Sequence, residues 1–143
     1  MVKKYKANRK GPMPYIIALL VLLPFVVFAL DTEAFLKQPY ILLPLLAPLA
    51  LLLWSFFGTW YKVVDGKLRY RSGFLTGEIN ISHIRQLIVG ETMWAGIKPA
   101  IASKGIIIKY NRYDEIYIAP ENNSEFAEDL KALNPTIEII YKQ

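Results

Sequence analysis

The stretch YIIALLVLLPFVVFAL (residues 15–30), DTEAFLKQPY (31–40) and ILLPLLAPLALLLWSFF (41–57) decides the fold of this chain. No charged residue occurs from residue 11 to 30 or from residue 38 to 61. A helix rises about 1.5 Å per residue, so about 20 apolar residues cross a hydrocarbon core of about 30 Å. Lipid offers no partner to a backbone N–H or C=O, and each apolar segment is therefore expected to be a helix. The sequence predicts two transmembrane helices, 15–30 and 41–57, joined by the loop 31–40.

Lysine and arginine residues around the two spans predict the orientation of the chain. Five basic residues precede the first span, one lies in the loop, and four follow the second span closely. Short basic segments stay in the cytoplasm. We therefore expect a multi-pass protein with a basic cytoplasmic tail (1–14), an outside loop (31–40) and a cytoplasmic domain (58–143). The alternative for the first segment is a cleaved signal peptide, but the segment is long for one and a second span follows directly.

The composition of the spans favours an anchor over a transporter. Neither span contains a charged side chain, whereas transport and proton relay place such groups inside the membrane. Trp54, Trp60 and Tyr61 cluster near the inner end of the second span, as interfacial aromatic residues do.

A period of two beyond the spans predicts a β-hairpin. Asp65 and Gly66 form a two-residue turn signal that pairs Val64 with Lys67. This register separates an apolar face from a basic face. The face predicted to be buried carries Tyr61, Val63, Leu68 and Tyr70. The opposite face carries Trp60, Lys62, Lys67, Arg69 and Arg71.

A second hairpin is predicted in residues 105–118, around Asn111 and Arg112. A two-residue and a four-residue loop give the same face assignment, because both have the same parity. One face then carries Ile107, Lys109, Asp114, Ile116 and Ile118. The other carries Ile106, Ile108, Tyr110, Tyr113, Glu115 and Tyr117. The pattern leaves open which face is buried.

The last firm element is an amphipathic helix, followed by a short extended tail at 136–141. Asn122 or Asn123 caps the helix, and Phe126, Leu130 and Leu133 lie along one side. Six strands precede this helix without βαβ alternation. The pattern therefore predicts an α+β domain, in which a curled antiparallel sheet is plugged by a helix.

Composition and motifs exclude several classes of function. The net charge of +5 is concentrated in the tail, so it does not indicate a nucleic-acid surface. The chain has no cysteine, which excludes disulfides and thiolate metal sites. His83 is the only histidine, and Asp114 and Glu115 are strand neighbours that face opposite sides. No catalytic, metal-binding or nucleotide-binding motif is present. We expect a protein that is not an enzyme and holds no cofactor or metal.

A set of spaced apolar and turn residues resembles a known family. The residues are Tyr61-x-Val63, Gly66-x-Leu68, Gly73, Ile79-x-Ile81-x-x-Ile84, Pro99-Ala100-x-x-Ser103, Ile108-x-Tyr110, Ile118-Ala119-Pro120, Phe126-x-x-x-Leu130 and Asn134-Pro135. With them the chain resembles the bacterial PH-domain membrane proteins. The resemblance implies a partly open PH-like barrel of two sheets with a C-terminal capping helix, at the inner face of a bacterial plasma membrane. Family members often place an arginine shortly after the Ser103 position, where Lys104 is the nearest base here.

Two hypotheses about function remain. The first is a membrane-anchored interaction module without catalytic activity, which binds anionic headgroups or a protein partner. The second is a small accessory subunit of a membrane transport or envelope-stress complex, which assembles through the transmembrane hairpin. The candidate contact residues are the basic hairpin face, Lys62, Lys67, Arg69 and Arg71 beside Trp60, together with Met93 and Trp94, which are expected to be exposed in the loop 92–103.

Overall fold

Two apolar helices precede most of the β-structure. The computed structural model describes residues 2–143; Met1, the first residue of the predicted tail, lies outside them. The first elements are β1 (Val2–Lys6), α1 (Met13–Leu30), α2 (Thr32–Lys37) and α3 (Leu43–Phe57), the last preceded by a 3₁₀ turn at Pro39–Leu42. Met13–Leu30 and Pro39–Phe57 are each long and apolar enough to cross a membrane. No residue of α1 or α3 is buried in the protein. The predicted pair of apolar helices is confirmed, and α2 lies in the predicted loop.

The rest of the chain forms two four-stranded sheets and a helix. The elements are β2 (Trp60–Val64), β3 (Lys67–Ser72), β4 (Leu75–Asn80), β5 (Ile84–Val89), β6 (Ile106–Tyr110), β7 (Asp114–Ile118), α4 (Asn123–Leu133) and β8 (Glu138–Tyr141). The strand order is β1-β2-β3-β4 in the first sheet and β7-β6-β5-β8 in the second. This arrangement confirms the predicted α+β class with a C-terminal helix. The predicted extended tail is β8, which lies parallel to β5 beside otherwise antiparallel strands.

One hydrophobic core joins both sheets and α4. Phe126, Ala127 and Leu130 of α4 are fully buried in it. The Asn122 side chain caps the helix by accepting a 3.2 Å hydrogen bond from the Glu125 N–H. The prediction that Leu133 shares the buried face is wrong, since 57% of Leu133 is exposed. It is the last residue of α4 and lies beside the β2–β3 turn rather than over the core.

The prediction of a separate basic tail at 1–14 is wrong for Val2–Lys6. This segment is β1, which pairs with β2 from Val2 opposite Val64 to Lys6 opposite Trp60. Tyr5 is buried and packs edge-on against Phe126, with 4.8 Å between the ring centroids. Because the partners of β1 lie more than 50 residues away, no local signal indicated them. The two apolar helices are therefore an insertion between adjacent strands of one sheet.

The predicted face assignment of the second hairpin is wrong. Its loop has three residues, 111–113, and an odd loop reverses the parity that two- or four-residue loops share. Asn111 adopts a φ of 51°, a left-handed conformation that asparagine tolerates well. Both faces of the hairpin are buried. The main core takes Ile106, Ile108, Ile116 and Ile118, and a second cluster takes Ile107 and Tyr117.

Candidate membrane-facing site

The outer face of the first hairpin carries the predicted basic residues. The register places Lys62 opposite Arg69, Trp60 opposite Arg71 and Val64 opposite Lys67, as the Asp65–Gly66 turn predicts. The alternate residues Tyr61, Val63, Leu68 and Tyr70 are buried. The outer residues are half-buried or exposed, so the predicted division into an apolar and a basic face is confirmed.

Strand β1 adds two basic residues that the sequence analysis missed. Lys4 pairs with Lys62 and Lys6 pairs with Trp60, so both lysines lie on the outer face of the sheet. Both are exposed, whereas Tyr5 between them points into the core. The alternation Lys4-Tyr5-Lys6-Ala7 was the signal available in the sequence. We call the set Lys4, Lys6, Lys62, Lys67, Arg69 and Arg71 the basic face.

Strand β4 places one acid on the same surface. Glu78 lies opposite Arg69, and its carboxylate contacts Lys67 Nζ at 2.7 Å and Arg69 Nε at 3.3 Å. The hydrogen bond from Lys67, with the charges of Lys67 and Arg69, lowers the pKa of Glu78. Six basic side chains thus share this sheet surface with one carboxylate. Among residues 2–143, Lys4, Lys6 and Lys62 form no salt bridge, and their charges stay available to a ligand.

Hydrogen bonds join this sheet to the end of α3. Arg9, which follows β1, donates from Nε to the Phe56 carbonyl at 2.9 Å and from a terminal nitrogen to the Phe57 carbonyl at 3.3 Å. These two carbonyls have no later helical turn to bond, so Arg9 caps the C-terminal end of α3. The buried Thr59 hydroxyl contacts the Ser55 carbonyl and lies 2.8 Å from the Ser72 hydroxyl. The basic face therefore starts directly at the end of the second apolar helix.

The two candidate contact residues in the loop 92–103, Met93 and Trp94, differ in their exposure. The expectation that Met93 is exposed is wrong: 6% of it is exposed, and it packs with Ile107 and Tyr117. The outer face of the second sheet is apolar at these positions, and the loop covers it. Trp94 is 89% exposed, as expected. The Tyr61 hydroxyl donates to the Pro99 carbonyl at 2.7 Å and fixes the loop against β2.

The polar residues weighed as catalytic candidates lie apart. His83 is exposed in a 3₁₀ turn, where its carbonyl accepts a hydrogen bond from the Asn111 N–H. Asp114 lies opposite Tyr110 and Glu115 opposite Lys109, so the two carboxylates face opposite sides of β7, as predicted. The Asp114 carboxylate accepts a 2.8 Å hydrogen bond from the Asn111 side chain, which is a turn-stabilising role.

Comparison with known proteins gives one match. The family model described as Bacterial PH domain matches residues 59–134, which include both hairpins and α4 but neither β1 nor β8. No curated protein and no solved structure matched the chain. The matched residues make up more than half of the chain and contain six of the eight strands together with the capping helix. The chain belongs to the bacterial PH-domain family.

Proposed function

We propose that this protein is a membrane-anchored PH-like module without catalytic activity, whose basic face binds anionic lipid headgroups at the cytoplasmic side of a bacterial plasma membrane. The observation that carries the proposal is the position of the basic face. Six basic side chains cover the outer surface of a sheet whose strand β2 begins three residues after the last residue of α3. A surface so close to a span lies within reach of the headgroup layer.

The pairing of β1 with β2 supports the proposed topology. The apolar helices connect these two neighbouring strands, so both flanks of the hairpin belong to one sheet. A sheet cannot be shared across a bilayer, and both flanks must therefore lie on the same side. The excess of lysine and arginine on these flanks favours the cytoplasmic side, and the loop 31–40 then faces outward.

The charges on the basic face differ in what they offer to a lipid. Lys67 and Arg69 are already paired with Glu78, which leaves Lys4, Lys6, Lys62 and Arg71 without an acidic partner among residues 2–143. Each basic residue near an anionic surface contributes about 1 kcal/mol. The four unpaired residues would then contribute on the order of 4 kcal/mol at low salt. This attraction falls as ionic strength rises.

Fluorescence quenching in full-length protein tests the proposal. The chain lacks cysteine, so Val64→Cys gives a single labelling position on the outer face of β2. The labelled protein is placed in nanodiscs whose lipid headgroups carry nitroxide quenchers. We expect stronger quenching in anionic than in neutral discs, and a loss of this difference at high salt. Changing Lys4, Lys62 and Arg71 to Gln should remove the difference as well.

The matched control removes the same charge from β6 and the loops that flank it. Lys104, Lys109 and Arg112 are changed to Gln, and quenching should stay as in the Val64→Cys parent. If both triple variants behave alike, or if the parent shows no preference for anionic discs at low salt, the lipid proposal is wrong. The basic face would then be a solvated surface or a site for a protein partner.

A further inference from the structure

The turn between β3 and β4 packs directly on the second apolar helix. Gly73 in this turn has a φ of 61°, a conformation that glycine adopts freely. A Cβ atom at Gly73 would lie 2.9 Å from Ser55 Oγ and 3.4 Å from Ser55 Cα. Glycine is therefore required here twice, for its backbone conformation and for the close approach to α3. Ser55 lies two residues before the end of α3, so the turn reaches back past the end of the helix.

Phe74, at the tip of this turn, is exposed beside a tryptophan of the span. Its side chain is 70% exposed, and its ring centroid lies 6.5 Å from that of Trp54. Trp54 is itself 48% exposed and lies three residues before the end of α3, about 4.5 Å along the helix axis. A tryptophan at that position in a span belongs to the headgroup region, where amphipathic rings are enriched. The 6.5 Å separation of the two rings places Phe74 beside this part of α3.

The position of the turn is fixed rather than incidental. Ser72 is buried, and its hydroxyl lies 2.8 Å from the Thr59 hydroxyl, which also contacts the Ser55 carbonyl. Arg71 Nε donates to the Gly73 carbonyl at 3.2 Å. The sheet thus holds the large apolar side chain of Phe74 beside α3. Residues 2–143 leave most of this side chain exposed.

We propose that Phe74 inserts into the membrane interface and forms a lipid contact of the domain in addition to the spans. The proposal rests on the membrane anchoring proposed above. The occupant of this surface is the bilayer, because the exposed Trp54 ring beside Phe74 belongs to a helix that the bilayer surrounds. Phe74 and the two ends of the hairpin would then hold the first sheet in one orientation relative to the membrane. Arg71, next to the turn, would reach the headgroups first.

Depth-dependent quenching in the full chain tests this contact. Single cysteines replace Phe74, Trp54 or Tyr113 in separate variants, and each carries the same small fluorophore. Tyr113 is the matched control, since it is 83% exposed in the β6–β7 turn. This turn contacts His83, which follows the last residue of β4, whereas Phe74 precedes the first residue of β4. Each variant is reconstituted in neutral vesicles containing lipids brominated close to the headgroup, so that basic-face attraction plays no part.

The expected result is quenching of the Phe74 label to within about twofold of the Trp54 label, with little quenching of the Tyr113 label. Quenching at Trp54 but not at Phe74 would overturn the Phe74 contact and leave the anchor intact. No quenching at either position would overturn the anchor as well. Equal quenching at Phe74 and Tyr113 would assign the signal to the fluorophore and would also overturn the contact.

Discussion

Asp129 on α4 ties the N-terminal strand to the rest of the domain. Its carboxylate accepts a 2.7 Å hydrogen bond from the Tyr5 hydroxyl and forms an ion pair with Lys3. The hydrogen bond from Lys3, assisted by that from Tyr5, lowers the pKa of Asp129. A carboxyl group with a lowered folded-state pKa contributes stability at pH values above its unfolded pKa, about 4. The contribution is lost as the pH falls through the folded-state pKa.

At the residue scale, Asp129→Asn should destabilise the domain by about 1 kcal/mol near pH 7, because a partly exposed charged network contributes modestly. Chemical denaturation of the full chain in detergent measures this. The difference from the parent should shrink as the pH falls below the unfolded-state pKa and through the lowered pKa of Asp129 in the folded state. Glu128→Gln is the matched control, since Glu128 is an exposed neighbour on α4. A difference that persists unchanged at low pH would contradict the ion-pair explanation.

At the scale of elements, α4 is the plug of the barrel. Phe126 and Leu130 enter the core side by side, while Leu133 at the helix end is exposed. The helix therefore contributes two large side chains and one small one, that of Ala127, to the hydrophobic core. Tyr5 of β1 packs on Phe126, so the plug also holds the N-terminal strand in place.

Two leucines on the same helix test this description. Leu130→Ala should lower the free energy of unfolding by roughly 2–5 kcal/mol, because it removes buried methyl groups and leaves a cavity. Leu133→Ala removes the same atoms from an exposed position and should change stability by no more than about 0.5 kcal/mol. Denaturant titration of both full-length variants measures the difference. Equal losses would show that α4 does not plug the core as described.

Elements with strong local signals could be predicted from the sequence. Charge-free runs indicated both apolar helices, and Asp65 and Gly66 set the first register. The pair Asn122 and Asn123 marked the start of α4, and the structure shows that Asn122 is the cap. The loop 111–113 could not be predicted, because loops of two, three and four residues fit the same strand pattern and differ only in parity. Strand β8 pairs with β5 in a parallel register that no turn specifies.

The candidate site, too, could be predicted only where a local sequence signal exists. Four of its six basic residues follow from one turn, and the other two required recognition of β1. That strand is five residues long, and the core partner of its Tyr5, Phe126, is contributed by α4. The burial of Met93 was missed for a related reason. It depends on the outer face of the second sheet being apolar at Ile107 and Tyr117, a face that the parity error assigned incorrectly.

At the scale of the whole molecule, the pair of apolar helices is inserted into a sheet. Strand β1 precedes α1, β2 follows α3, and the two strands pair along their full length. The first sheet is consequently complete only when β1 and β2, at the two ends of the helix pair, lie side by side. A fragment that starts at residue 58 lacks β1, and with it Tyr5, Lys4 and Lys6. Such a fragment is an unsuitable substitute for the full chain in binding experiments.

A disulfide between β1 and β2 in native membranes tests this arrangement most directly. Lys4 lies opposite Lys62, and opposite residues in antiparallel strands have Cα atoms about 4.5–5.5 Å apart, within reach of a disulfide. Lys4→Cys is combined with Lys62→Cys, or with Arg69→Cys as a control two strands away, about 10 Å distant. A protease site inserted in the loop 31–40 is cleaved after oxidation. The two halves should stay joined on a non-reducing gel in the first variant and separate in the second. Separation in both variants would contradict the pairing of β1 with β2 across the inserted pair of apolar helices.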